Sequence, residues 1–337
     1  MEIKTTKMKG WGFVAAILVL CLATMGSIVL GYTEVRLHHL YEVLFHFEHF
    51  KESNTHIIIL EARIPRALIA ICVGASLAIA GVLMQALTRN PLASPSIFGI
   101  NAGASLFIVA VVIYIPSISL QGMTWVSFAG AAAASLIVYT IGGLGREGLT
   151  PLRLTLAGAA IAALFSSLTQ GLLVLNEKAL DEVLFWLAGS VQGRGLQYLY
   201  PVLPYFIGAW AGSLLISRHI NILIMGEDIA QSLGGRIAVI KAIAGILIVG
   251  LAGGAVAVAG PIVFIGIVVP HFARAIAGQD HRWVIPYSGV LGAVLLLLAD
   301  ISARFIIMPE EVPVGVMTAI IGTPFFVYLA RKGWKES

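Results

Sequence analysis

Ten apolar runs, at about 11–31, 65–87, 93–115, 123–143, 152–175, 198–217, 237–258, 261–277, 284–307 and 313–330, occupy most of this 337-residue sequence. A helix crossing the apolar layer of a bilayer takes about 20 residues, so ten of them leave roughly a third of the chain for connections. Only 11% of the side chains are charged, against 59% that are apolar. A soluble domain carries about 25% charged residues to cover its surface. The pattern therefore excludes a water-soluble globular enzyme. It predicts an all-α polytopic membrane protein of about ten transmembrane helices, forming one transmembrane domain over 1–337. The first run follows Lys4, Lys7 and Lys9, as the apolar part of a signal peptide would. No small-x-small cleavage site closes it at Gly31-Tyr32-Thr33-Glu34, so it reads as a retained first span.

Charge placement sets the orientation. With the N-terminus inside and ten spans, 14 of the 21 Lys and Arg residues fall on the cytoplasmic side. That bias is the positive-inside pattern, and it makes both termini cytoplasmic. Cys21 and Cys72 each lie inside an apolar run, which argues against a disulfide framework or a cysteine metal site. The eighth run is bracketed by Gly260-Pro261 and interrupted by Pro270, and Asn90 to Pro95 forms a similar break between the second and third. Such breaks are tolerated in a membrane only where neighbouring protein or a cavity satisfies the backbone.

Two connections are long. The outer one, about 32–64, holds five of the eight histidines, His38, His39, His46, His49 and His56. Leu37, Leu40, Leu44 and Phe47 recur there at helical spacing, as in a short helix lying on the membrane surface. His46 and His49 would share a helical face. No cysteine or matching acidic pair completes a metal site, so a solvated interfacial loop is the expectation. The inner connection, about 218–241, contains an amphipathic piece over 227–233 that ends at Gly234-Gly235. Glycines four apart, Gly99/Gly103, Gly208/Gly212 and Gly250/Gly254, suit close helix contacts.

Nucleotide chemistry is absent from the motifs. Gly143-Leu144-Gly145-Arg146-Glu147-Gly148 fits GxGxxG, but it lies between spans rather than between a strand and a helix. No GxxxxGK[ST] phosphate loop occurs, so any ATP-driven activity needs a partner subunit. Charges within the runs are few. Asp300 and Arg304 are four apart near the outer end of the ninth, spaced for a local ion pair. Arg63 and Arg66 open the second, also at the outer face, where they could snorkel to headgroups or receive acidic groups from a soluble partner. Gln85, Asn101, Ser166, Ser167, Thr169 and Gln170 are polar and uncharged within runs. Helix-to-helix hydrogen bonding would employ them, and so would the weakly polar lining of a pathway for a large solute. An ion-coupled secondary carrier would show intramembrane acids or bases, which the span centres lack. Nor does any span hold the paired acids, HExxH or Ser-Lys set of an intramembrane enzyme.

These features resemble the FecCD permeases, membrane subunits of ABC importers for ferric siderophores, haem and cobalamin. The resemblance runs from about residue 60 to the C-terminus. It is carried by Arg63-Ile64-Pro65-Arg66, Gly74-Ala75-Ser76-Leu77-Ala78 with Gly81 and Gln85, and Arg89-Asn90-Pro91-Leu92-Ala93-Ser94-Pro95 with Gly99, Asn101 and Gly103. Further on it includes Trp186-Leu187-Ala188-Gly189-Ser190, Gly260-Pro261-Ile262-Val263-Phe264-Ile265-Gly266 and Val269-Pro270-His271. Asp300-Ile301-Ser302-Ala303-Arg304 and Val312-Pro313-Val314-Gly315 complete it.

The resemblance implies a multi-pass permease of the bacterial inner or plasma membrane. It would pair with a second permease subunit, the same chain or a sister, around a central pathway. Two cytoplasmic ATPase subunits would drive it, and an extracytoplasmic binding protein would deliver the ligand. Membrane lipid is the remaining partner, and nucleic acid is not implied. The family's ATPase-contacting loop falls within 218–241, on Gly226, Glu227, Asp228, Ala230, Leu233 and Gly234; Met225-Gly226-Glu227 stands where members usually have Leu-Gly-Glu. Binding-protein docking arginines carry over to Arg63, Arg66 and Arg304, and Gln85, Asn101, Ser167 and Gln170 are candidates for the pathway. No cofactor or metal is expected in this subunit, ATP and Mg belonging to the partner ATPase. The stretches Arg89–Gly103 and Met308–Lys332 look most like the ferric citrate and ferric siderophore members, which favours an iron(III) chelate over cobalamin or haem.

Overall fold

In lipid a backbone polar group must find its partner within the protein, so each apolar run folds as helix. A computed structural model describes residues 6–31, 54–115, 117–144, 150–232 and 236–333, and no strand occurs among them. The α-helices longer than a single turn are α1 (Thr6–Val29), α2 (Ile64–Thr88), α3 (Ile100–Tyr114), α4 (Leu120–Gly143) and α5 (Pro151–Val174). Then come α6 (Glu177–Leu187), α7 (Leu203–Leu215), α8 (Ser217–Ile224), α9 (Glu227–Ser232) and α10 (Ile237–Ile248). The last are α11 (Gly254–Ala259), α12 (Ile265–Ala277), α13 (His281–Ala303) and α14 (Val314–Gly333). Among the described residues, six helices are long and apolar enough to cross a membrane: α1, Thr55–Thr88, α4, α5, Ile237–Ala259 and α13. The pair α7 and α8, bent by 54°, makes a seventh, and α3, α12 and α14 are shorter apolar helices. All ten sequence runs are accounted for, in a polytopic all-helical membrane protein.

Boundaries differ where polar residues obscure them. The inner connection was expected to begin at 218, yet Ser217–Ile224 is helix, because Arg218, His219 and Asn221 lower the hydropathy of a segment whose Ile220 and Leu223 are buried. The expected short helix at 227–233 is present as α9, with Leu233 and Gly234 outside the described residues. His38, His39, His46 and His49, with the surface helix expected around them, also lie outside, as does most of the GxGxxG stretch.

The helix at the centre is α2, nearly all of whose residues are buried. It packs against α13 above all, and also against α12, α10 and α11, while α3, α4 and α5 pack among themselves. Without hydrophobic attraction between helices, close backbone approach supplies the packing. A Cβ on Gly74 would stand 2.4 Å from the Gly292 carbonyl oxygen, and one on Gly292 would stand 2.3 Å from that of Gly74. The α2–α12 seam is as tight, with a Cβ on Gly81 falling 2.1 Å from the Gly266 oxygen. Of the glycines singled out by spacing, Gly103 meets Gly130, Gly212 meets Leu247 and Gly254 meets Phe206, whereas Gly208 faces open space.

Both expected breaks are held by neighbouring chain. Between α11 and α12, residues 260–264 leave the helix, and Phe264 takes a left-handed φ of 71° that a bulky residue rarely adopts. Ser190 N–H donates to the Ala259 carbonyl at 2.8 Å, and Gly315 N–H donates to that of Gly189 at 2.9 Å, so the loop before α7 and the start of α14 brace this break. At the other, Asn90 Oδ1 accepts from Leu92 N–H at 2.9 Å, and the His271 ring lies 3.2 Å from the Pro91 oxygen.

These seams predict that Gly81→Val lowers the stability of the detergent-solubilised subunit by about 1–3 kcal/mol, the usual cost of overpacking. Gly171→Ala is the control, since nothing lies within 4 Å of a Cβ there. Thermal unfolding monitored by circular dichroism compares the two; equal midpoints would show that the α2–α12 seam gives way without cost.

Candidate functional site

The last carbonyls of a helix have no partners within it. At the end of α1, which the charge bias makes the outer end, arginines from two other helices supply them. Arg304 Nη1 donates to the carbonyls of Ser27 (2.6 Å) and Leu30 (2.7 Å), and its Nη2 donates to Ser27 Oγ at 2.9 Å. Arg63 Nη1 also donates to the Leu30 carbonyl. Gly31 makes this possible, because a Cβ there would stand 1.8 Å from Arg63 Nη1, where the guanidinium lies.

Asp300 joins these groups. Arg304 Nη2 donates to its Oδ2, one helical turn back, as the four-residue spacing suggested. Arg66 approaches the same carboxylate with two nitrogens, Nε at 3.0 Å from each oxygen and Nη2 at 2.7 Å from Oδ1. The third nitrogen, Nη1, pairs with Glu311 Oε2 at 2.7 Å. Asp300 has no exposed surface, and Arg304 is 2% exposed. Burying charge is costly unless it is paired and hydrogen-bonded, and here one carboxylate serves two guanidiniums. Of the three arginines expected at a docking face, Arg63 and Arg304 lie just beneath the surface, and Arg66 stands between Asp300 and the rim. Glu311 was missed by sequence reasoning; its only signal was its place between Pro309 and Pro313 in a short outer loop.

One cavity opens beside this cluster, and a second adjoins it at Arg194. The first, of about 260 Å³, is lined by Glu61, Arg63, Arg66, Arg194 and Glu311. The other, of about 330 Å³, is lined by Met123, Thr124, Phe185, Trp186, Arg194 and Tyr198. Arg194 is common to both and sits 4.9 Å from the centre of the Tyr198 ring. Burial pushes its guanidinium below the usual range, against the pull of the Tyr198 hydroxyl.

At the inner end, α8 leads through Met225 and Gly226 into α9. Gly226 has a φ of 129°, and its carbonyl accepts from Ala230 N–H at 2.9 Å, with Ala230 buried. Arg89, closing α2 in a left-handed conformation, donates to the Leu223 carbonyl at 3.3 Å. Asp280 caps α13 by accepting from Arg282 N–H at 3.0 Å. The Arg282 guanidinium holds its carboxyl well below the usual carboxylate range, against the opposing effect of burial, and the Asn221 amide adds to the lowering. Asn221, Asp280 and His281 were not anticipated, and with 59 positions between Asn221 and Asp280 no local pattern could have joined them.

The residues considered for a pathway separate into two groups. Gln85 lies inside the subunit, donating to the Gly266 carbonyl at 3.1 Å and accepting from Arg274. Asn101, half-buried in the first turn of α3, donates to Ser96 Oγ at 3.3 Å. On α5, by contrast, Ser166, Ser167 and Gln170 point away from the rest of the subunit, whereas Thr169 is buried and donates to the Phe165 carbonyl.

Removing the shared carboxylate tests the outer cluster. Asp300→Asn is expected to destabilise the subunit by about 3–5 kcal/mol, as for other broken buried pairs, because both guanidiniums stay buried. A drop in unfolding temperature of the purified subunit checks it; an unchanged midpoint would mean that water or headgroups already balance the arginines.

The family model described as the FecCD transport family matches residues 17–332. The Bacillus subtilis (strain 168) protein named "Probable siderophore transport system permease protein YfiZ" is 57% identical over 322 residues, 96% of each chain. From the same organism, "Fe(3+)-citrate import system permease protein YfmD" is 42% identical over 321 residues, 95% of this chain and 94% of its own. A solved inward-facing structure described as a metal-chelate type ABC transporter superposes with a TM-score of 0.83 at 28% identity, over 95% of this chain and 98% of that one. With the family model reaching from α1 to α14 and relatives aligned over almost their whole length, this chain belongs to the FecCD transport family.

Proposed function

We propose that this chain is the permease subunit of an ABC importer that carries an iron(III) chelate, a siderophore or ferric citrate, into the bacterial cytoplasm. Relatives named for siderophore and Fe(3+)-citrate transport, matched from end to end, are the observation that carries the reading. The chain supplies the pathway. ATP hydrolysis belongs to partner ATPase subunits, in keeping with the missing phosphate loop.

The exposed strip on α5 supports assembly with a second permease subunit. Ser166, Ser167 and Gln170 would leave hydrogen-bonding groups facing lipid, which costs energy at membrane depth. A second subunit facing α5 across a hydrated pathway relieves that cost. Such a lining is polar enough to stay wet and has no charge to trap an anionic chelate. Gln85 takes no part in it in this conformation.

At the inner face, Gly226, Glu227, Asp228 and Ala230, with Leu233 and Gly234 following, form the segment through which ATPase closure would move the permease. The binding protein would dock at the outer face over Arg63, Arg66 and Arg304. Burial leaves Arg66 and the cavity rim, where Arg194 also stands, for direct contact with acidic groups.

In vesicles holding the permease, its ATPase and its binding protein, uptake of radiolabelled ferric citrate or a ferric hydroxamate should require ATP and survive an uncoupler. Glu227→Ala/Asp228→Ala should assemble and hydrolyse ATP yet lose uptake; full transport by that variant would sink the coupling role. Capture of the binding protein should weaken as salt rises from about 50 to about 500 mM, since screening at the higher value leaves little reach to surface charge. Salt-independent capture would exclude charge as the docking force.

A further inference from the structure

Asn221 lies on α8, one turn before the segment assigned above to ATPase coupling, and its side chain reaches across to the start of α13. Its amide nitrogen donates to Asp280 Oδ1 at 2.8 Å. Its amide oxygen accepts from the His281 backbone N–H at 2.9 Å and lies 2.8 Å from His281 Nδ1. An ionised carboxylate can only accept, so the NH₂ end of the amide must face Asp280. The oxygen then faces His281, whose Nδ1 carries a proton to donate. Asp280 is at the same time the N-cap of α13 and is held by Arg282 Nε and Nη2. One carboxamide thus spans the cap of α13 with all of its contacts matched in donor and acceptor.

We propose that Asn221 is the positioning residue that ties the coupling segment to α13, so that a shift of α9 is passed into α13 and not taken up by the bend at Ile216. The inference rests on the reading of 226–234 as the coupling segment. Only Met225 and Gly226 separate α8 from α9, which leaves little chain to absorb a displacement. Arg89 holds α8 through a main-chain carbonyl, a contact that any residue at 223 would offer. The Asn221 contact depends on its side chain. At the receiving end, α13 is a helix of 23 residues, about 35 Å long, whose far end carries Asp300 and Arg304. It is also the main packing partner of α2.

The test uses the complete complex of permease, ATPase and binding protein in vesicles, with whichever of ferric citrate or ferric hydroxamate the parent takes up. Asn221→Asp sets a second carboxylate against Asp280. Transport per ATP hydrolysed should fall about tenfold, with ATP hydrolysis and assembled complex within about twofold of the parent. The exchange Asn221→Asp/Asp280→Asn restores one carboxylate and one carboxamide and should recover the ratio. Asn221→Ala, which removes both hydrogen-bonding ends without adding charge, should uncouple too. A residue that merely supports folding would lower transport and hydrolysis together with the amount of complex; an unchanged ratio in Asn221→Ala therefore overturns the proposal. An exchange variant as uncoupled as Asn221→Asp overturns it as well. Glu227→Ala/Asp228→Ala, run in parallel, separates the readings. If that variant is uncoupled while the Asn221 variants are not, only the Asn221 inference falls. If it transports fully, both fall.

Discussion

One carboxylate organises the outer end of this protein. Asp300 is enclosed, and its two oxygens receive Arg66 from α2 and Arg304 from its own helix. Through Arg304 it also governs α1, because the same guanidinium covers the carbonyls of Ser27 and Leu30. The first, second and ninth spans are thereby joined at one point, by charge that is costly to bury when a partner is missing. Lipid provides no hydrophobic force between helices, so such ties matter more here than in a soluble core. The outer end is held by ions, the middle by glycine-lined backbone contact, and the inner end by amide and guanidinium side chains bonded to helix termini.

This distribution suits a subunit that must move without coming apart. The interior around α2 is closed, and its single deep glutamine is bonded to the backbone of α12 and to Arg274. Polarity without such partners appears on α5, at the surface, where another subunit or water can meet it. On the function proposed above, the subunit is a wall of the pathway, and the pathway lies outside it.

Much of this was legible in the sequence, and the illegible part has a common physical cause. Spans follow from hydropathy because lipid demands helix wherever a chain crosses it. The Asp300–Arg304 pair follows from helical spacing. Direction around a helix axis does not: Gln85 and Gln170 look alike as polar residues in apolar runs, yet one is sealed inside and the other faces outward. Hydropathy also hid α8, whose polar residues read as connection although its apolar face is buried. Glu311 and Asn221 act through partners far along the chain, and a single sequence has no signal for such pairs.

The separation of Arg66 from Asp300, 234 positions, has a consequence for how the protein is made. A ribosome adding about 5–20 residues per second needs roughly 10 to 50 s to travel that distance. For that time the second span must sit in the membrane with Arg63 and Arg66 at its outer margin and no Asp300 to receive Arg66. Long arginine side chains can reach water and headgroups meanwhile. The carbonyls at the end of α1 wait as well, since Arg304 arrives with the ninth span. The ion-paired outer cluster therefore closes late in synthesis, and a chain that stops short of the ninth span leaves Arg66 without its buried carboxylate.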